Sequence, residues 1–176
     1  MTPNLFGRRA FLGATATAAL AASTTGIRPA KAEAAGEEMT FEVTRTEEEW
    51  RARLTDEEYI LLRKGSTELP HTSPLVSETR EGVYRCKGCD LTLYTSIWNV
   101  PRDIGWGFFS HSQPRAVLTS IEGEPPDPTG NSDGPGAMIE VHCRRCASHL
   151  GHLVIAQGQL VHCINGGGVT FHSARA

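Results

Sequence analysis

Two cysteine pairs, Cys86-Lys87-Gly88-Cys89 and Cys143-Arg144-Arg145-Cys146, constrain this 176-residue chain more than any other feature. A two-residue gap lets both thiolates of a pair grip one ion from a single tight turn, and two such turns make a closed tetrahedral four-sulfur site. The 53 residues between the pairs exceed a compact zinc ribbon, so a metal held this way must staple segments distant in the chain. Such a site is structural, because it leaves no coordination position open for catalysis. Two disulfides, or a redox pair of thioredoxin type, are the alternatives. A redox pair ordinarily sits at a helix start, whereas both pairs here follow strand-like runs, Val83 to Arg85 and Met138 to Val141, and this favours zinc.

The first 32 residues carry Arg8, Arg9, Arg28 and Lys31, no acidic residue, and an apolar run from Ala10 to Ala22. That run is too short to cross a hydrocarbon core, which needs about 20 helical residues. Gly7-Arg8-Arg9-Ala10-Phe11-Leu12 resembles a twin-arginine export signal, and Ala30-Lys31-Ala32 offers a small-x-small cleavage site. The expected organisation is a signal over 1–32, a linker over 33–45 and one domain over 46–176. The expected location is the periplasm or another exported compartment, with no stable membrane insertion after cleavage. Cleavage would leave 13 Lys and Arg against 20 Asp and Glu, a charge of −7 that argues against nucleic acid as a partner.

Along the domain, Thr46 to Arg63 reads as two short helices, the second opened by the capping residue and acidic turn of Thr55-Asp56-Glu57-Glu58. Gly65 to Glu81 reads as a surface-hugging loop. Short β-type runs follow at Val83 to Arg85, Leu91 to Tyr94, Arg115 to Leu118, Met138 to Val141, His149 to Ile155 and Gln159 to Ile164. Glu122 to Gly136 holds four Pro and four Gly and reads as an exposed loop. The pattern predicts a mainly β fold of antiparallel sheets with short N-terminal helices.

Cys163 is the odd thiol. A buried inert cysteine is one reading of it. Its neighbours point to chemistry: His149, His152 and His162 lie within fifteen residues, and Asn165 with Gly166 to Gly168 follows directly. Imidazoles beside a thiol lower its pKa or donate protons.

From about Trp50 to Phe171 the chain resembles the B-type peptide methionine-R-sulfoxide reductases. The resemblance rests on Gly65-Ser66-Thr67-Glu68, on Tyr84-Arg85-Cys86-Lys87-Gly88-Cys89 and Gly105-Trp106, and on the run Cys143-Arg144-Arg145-Cys146-Ala147-Ser148-His149-Leu150-Gly151-His152. Cys163-Ile164-Asn165-Gly166 and Phe171 complete it. It implies two antiparallel sheets, a four-cysteine zinc site apart from the active centre, and thiol-dependent reduction of methionine-R-sulfoxide in oxidised proteins or peptides. Carried onto this chain, it makes Cys163 the nucleophile that is left as a sulfenic acid. His149 and His152 position the sulfoxide oxygen and supply the proton, and Asn165 orients that network. Trp106 cradles the S-methyl group, with Phe109 and His162 as further substrate contacts.

Some positions depart from the family pattern. Gly107-Phe108-Phe109 stands where relatives have Pro-Ser-Phe, Ala156 where they have an Asp, and Val161 where an Arg would favour the thiolate; His162 is the candidate substitute. The stretch from His152 to Cys163 is about four residues short by comparison. With four cysteines on the metal and Ile104 where some relatives carry a resolving cysteine, no sixth thiol exists, so the expected reductant is an external thiol such as a thioredoxin-like protein. The alternative is a catalytically impaired relative serving as a zinc-stabilised binding module for methionine-rich or oxidised partners.

Overall fold

A computed structural model describes residues 39–123 and 137–174. The expected export signal, linker residues 33–38 and nearly all of the Pro/Gly-rich loop lie outside the described residues.

Two short helices open the domain, and each starts for a local reason. At α1 (Glu47–Arg51) the Thr46 hydroxyl accepts from the Glu49 N–H at 3.2 Å, while the Glu49 carboxylate accepts from the Thr46 N–H at 2.8 Å. Thr55 and Glu58 repeat this reciprocal cap at α2 (Asp56–Lys64), which ends on Gly65 at φ +69°. The inward faces bury Trp50, Tyr59, Leu61 and Leu62.

The rest is antiparallel sheet. β1 (Gly82–Cys86), β2 (Thr92–Thr95) and β8 (Val169–Ser173) form a three-stranded sheet in the order β2-β1-β8. β3 (Gly107–Phe109), β4 (Val117–Glu122), β5 (Met138–Cys143), β6 (His149–Ala156) and β7 (Gln159–Ile164) form a five-stranded sheet in the order β3-β7-β6-β5-β4. The mainly β class with two antiparallel sheets is as expected. β3 and β8 are additions: β3 is three residues long, β8 follows a glycine run, and both are strands only because distant partners, β7 and β1, supply their hydrogen bonds.

Tyr84, Leu93, Tyr94, Phe109, Val141, Leu150, Ile164 and Val169 make the core. Tyr94 stacks on Phe109 at 4.4 Å, and Tyr84 meets the same ring edge-on at 4.9 Å. The stretch from His152 to Cys163 closes through a two-residue hairpin, Gln157-Gly158, with φ of +53° and +77°. That pair of positive φ values suits the right-handed twist of the flanking strands. Ala156 pairs with Gln159, and counting back from the turn sets His152 opposite Cys163. The expected loop at Gly65 to Glu81 contains a 3-10 turn, Pro74–Ser77, and its first residues strap the active face. Among the described residues no helix is long and apolar enough to cross a membrane.

Candidate functional site

A four-cysteine cluster joins the two sheets at the ends of β1 and β5. The knuckles share one backbone design: the amide four residues after the first cysteine donates back to that cysteine's carbonyl, Asp90 to Cys86 at 2.7 Å and Ala147 to Cys143 at 2.9 Å. Both amide donors take positive φ, +63° and +57°. The four sulfurs all lie within 4.8 Å of one another. The Cys86 and Cys146 sulfurs are 3.7 Å apart, and those of Cys89 and Cys143 are 3.5 Å apart. Four sulfurs at about 2.3 Å from one tetrahedral ion stand about 3.8 Å from each other, whereas a disulfide needs about 2.05 Å. The donor set fits one metal ion and not two disulfides.

Arginines surround it. Arg63 donates to the Cys146 carbonyl at 2.9 Å, Arg145 to the Cys89 carbonyl at 3.4 Å, and Arg45 to the Gly88 carbonyl at 3.5 Å. Arg63 and Arg45 also stack on Trp50, at 4.6 and 4.7 Å from the ring centre. Four thiolates on a divalent ion leave two negative charges, which these cations offset.

The second site lies across the five-stranded sheet. Phe108 pairs with Cys163, Cys163 with His152, His152 with Glu140, and Glu140 with Ser120. Residues directly opposite share a face, so these five form one row over five strands. His149, three positions from His152, would point the other way in a regular strand. A bulge corrects this: His152 pairs with Glu140 and His149 with His142, leaving Leu150 as the extra residue on β6. The two histidine rings therefore meet at 5.3 Å. Gly151, at φ +148°, is required between them, because a Cβ there would lie 2.0 Å from the Cys163 carbonyl oxygen.

Each histidine has a carboxylate. His149 Nδ1 is 2.7 Å from Glu140 Oε1, and the Ser120 hydroxyl donates to Glu140 Oε2 at 2.9 Å. Burial pushes the Glu140 carboxyl up, but hydrogen bonds from His149 and Ser120 outweigh it and hold the group below its usual range. His152 Nε2 is 2.9 Å from Glu122 Oε2. His149 is 3 % exposed, and among the described residues its buried Nε2 has no hydrogen-bond partner.

Trp106 donates its indole N–H to the Glu68 carbonyl at 3.2 Å. The preceding Gly105, at φ +101°, lies so close to Pro70 that a Cβ would come within 2.4 Å of it, and its carbonyl accepts from the His71 N–H at 3.0 Å. Asn165 is buried, and its amide faces the strap: Oδ1 accepts from the Glu68 N–H at 3.2 Å and Nδ2 donates to the Ser66 carbonyl at 3.5 Å. Asn165 thus holds the Ser66 to Glu68 segment and shows no hydrogen bond to either histidine.

Two expected substrate contacts are corrected by strand alternation. Phe109 is 2 % exposed and stacked on Tyr94 in the core. Its neighbour Phe108 is the aromatic that shares the face of Cys163. His162 likewise lies on the opposite face of β7 from Cys163, with Nδ1 at 3.2 Å from the Tyr94 hydroxyl, so it does not replace the missing arginine. Burial, then the neighbouring His111, lowers the His162 pKa.

Cys163 is half-buried, and the expected lowering of its pKa is reversed. Burial, then the Glu68 carboxylate, pushes the thiol up to about 11. The thiolate is the nucleophile, so alkylation by iodoacetamide should climb about tenfold per pH unit below the pKa and level off near 11. A plateau near 9, the ordinary value for a thiol, would contradict this.

Glu140, Glu122, Glu68 and Phe108 were not singled out as site residues by the sequence. Glu68 had a signal, since it closes the Gly65-Ser66-Thr67-Glu68 run, but the others become neighbours only through strand pairing.

Residues 54–173 match the SelR domain. The chain is 35 % identical over 137 residues to peptide methionine sulfoxide reductase B3 of Arabidopsis thaliana, covering 75 % of this chain and 72 % of that one. It is 35 % identical over 136 residues to peptide methionine sulfoxide reductase MsrB of Agrobacterium fabrum, covering 73 % of this chain and 92 % of that one. Because the domain match spans both knuckles, the histidine pair and the thiol, and these relatives align over most of their length, the chain belongs to the SelR family, the B-type peptide methionine sulfoxide reductases.

Proposed function

We propose that this chain reduces methionine-R-sulfoxide in oxidised proteins or peptides to methionine, with Cys163 as the nucleophile. The observation that carries the reading is the row Phe108, Cys163, His152 and Glu140 on one sheet face, with His149 brought to the same face by the Leu150 bulge. The Cys163 sulfur attacks the sulfoxide sulfur, and the oxygen passes to Cys163 as the S–O bond of the substrate breaks. The thiol becomes a sulfenic acid and the sulfoxide becomes a sulfide. Two external thiols then return the cysteine to its reduced state, releasing water and leaving with a disulfide between them.

His149 and His152 handle the protons. Glu140 occupies Nδ1 of His149, so the exchangeable position is Nε2, which has no hydrogen-bond partner among the described residues. Glu122 holds His152 in the same way at its Nε2. Trp106, half-buried, offers the apolar surface that an S-methyl group needs, and the buried Phe108 backs the face that carries Cys163. Cys86, Cys89, Cys143 and Cys146 would hold zinc, which has no redox chemistry and would staple the two sheets.

The test is turnover of each sulfoxide epimer of a short peptide with dithiothreitol. A companion reaction uses one equivalent of the R-epimer without reductant, then a sulfenic-acid trap and mass analysis. One label, on Cys163, is the expected result. Loss of two thiols as an intramolecular disulfide would mean that a knuckle cysteine resolves the intermediate. The observation favouring the alternative binding module is a half-buried thiol, which burial keeps protonated, with an apolar Val161 and no cation two residues before it. Absence of any modification with the metal retained would establish that reading instead.

The site of action proposed here is the cell envelope, reached by the twin-arginine route. That route carries folded proteins, so the metal enters before export. Arg8→Lys with Arg9→Lys should leave uncleaved protein in the cytoplasm on fractionation. Continued export of the double variant would refute the route.

A further inference from the structure

We propose that Glu68 is the positioning residue of this active site, fixing the Trp106 indole, the Asn165 amide and the turn after Cys163 in one arrangement. The inference rests on the reading of Cys163 as the centre of a sulfoxide-reducing site. It assigns a role to the Gly65-Ser66-Thr67-Glu68 run, which the chemistry itself leaves unused.

Four hydrogen bonds converge on this residue from segments far apart in the chain. Its carboxylate accepts from two consecutive amides, Gly166 N–H at 2.6 Å and Gly167 N–H at 2.7 Å. Its own N–H donates to Asn165 Oδ1 at 3.2 Å, and its carbonyl accepts from the Trp106 indole at 3.2 Å. Charged acceptors make the stronger hydrogen bonds, so the side chain acts as the anchor and the main chain as the template. Once the carboxylate is seated on Gly166 and Gly167, the position of the Glu68 peptide groups is set. Those groups then dictate where the indole N–H and the Asn165 oxygen must lie. A primary amide has one acceptor oxygen, so the Asn165 orientation is fixed as well.

Glu68 therefore ties the apolar wall, the buried amide and the turn after the nucleophile to a strap entering from outside the sheets. It touches no reacting atom and acts through the residues it holds.

The test uses Glu68→Gln in the mature chain. Glutamine keeps the length and shape but offers one acceptor oxygen and turns its NH2 toward an N–H that needs an acceptor. The first readout does not depend on turnover. The Trp106 indole N–H is observed by NMR, assigned by its loss in Trp106→Phe. Its exchange with solvent should accelerate by about tenfold or more in Glu68→Gln, as local opening becomes easier. Glu68→Asp keeps the charge but is one methylene shorter, and should give a smaller acceleration; if Glu68→Gln does not fold, Glu68→Asp serves alone.

The second readout is the split between KM and kcat. Glu68→Gln should raise KM about tenfold with kcat changed less than about threefold, as removal of uniform binding does. In the Trp106→Phe background, which lacks the indole N–H, the same substitution should add less than about threefold, because coupled residues are not additive. Unchanged exchange in a folded variant, or an undiminished KM effect in the Trp106→Phe background, would overturn the proposal. Accelerated exchange in a protein whose wild type turns over neither epimer would uphold the positioning role and reject the sulfoxide reading.

Discussion

Cys86→Ser is expected to give protein that lacks metal and does not hold its fold at room temperature. A structural zinc contributes about 10–16 kcal/mol to folding in small metal domains, while a typical domain has a net stability of only about 5–15 kcal/mol. Here the four cysteines would hold the ion between the end of β1 in one sheet and the end of β5 in the other, so its loss would release the joint between sheets. The knuckle carbonyls that Arg63 and Arg145 hold would lose their order with it. Metal analysis should find about one zinc per chain in the wild type and none in the variant, whose thermal unfolding should lose its cooperative transition. A folded, metal-free Cys86→Ser protein with an unchanged transition would show that the knuckles need no ion.

Cys163→Ser is expected to separate chemistry from folding. Cys163 is the penultimate residue of β7, held between β3 and β6, and the substitution changes one atom, so the fold, the metal content and the unfolding transition should persist. Turnover should fall about a thousandfold or more, as removal of an enzyme nucleophile does. A hydroxyl is a far weaker nucleophile toward sulfur and has no sulfenic state to carry the oxygen. Residual turnover above a tenth of the wild-type rate would mean that another group carries the reaction. The pair of variants discriminates the two sites: one loses metal and fold together, the other loses only the reaction.

Tight local chemistry was legible before the fold was known. The cap at Thr55 depends on a residue three positions away, and the two knuckles depend on pairs of cysteines three positions apart. Six of the strands appear as apolar or alternating runs. β3 and β8 escape notice because three and five residues carry too little pattern, and their hydrogen bonds come from β7 and β1. Phe109 was expected near the substrate from the family resemblance, and His162 as the substitute for an arginine beside Cys163. In a strand, adjacency in sequence is what sends a side chain to the other face.

The amino-acid sequence by itself determined which side chains are available and which local devices form: two cysteine turns, two capped helices, a lone thiol and a pair of histidines. Only the tertiary structure decided how these combine. The Gln157-Gly158 hairpin set the register that puts His152 beside Cys163, and the Leu150 bulge turned His149 to the same face. Long-range pairing brought Glu140 and Glu122 to the two histidines, and the strap carried Glu68 to Trp106, Asn165 and the glycine turn. Spacing along a chain fixes contacts within a turn or a hairpin; which strand lies beside which is fixed by burial of the shared core, and the active site is assembled from those pairings.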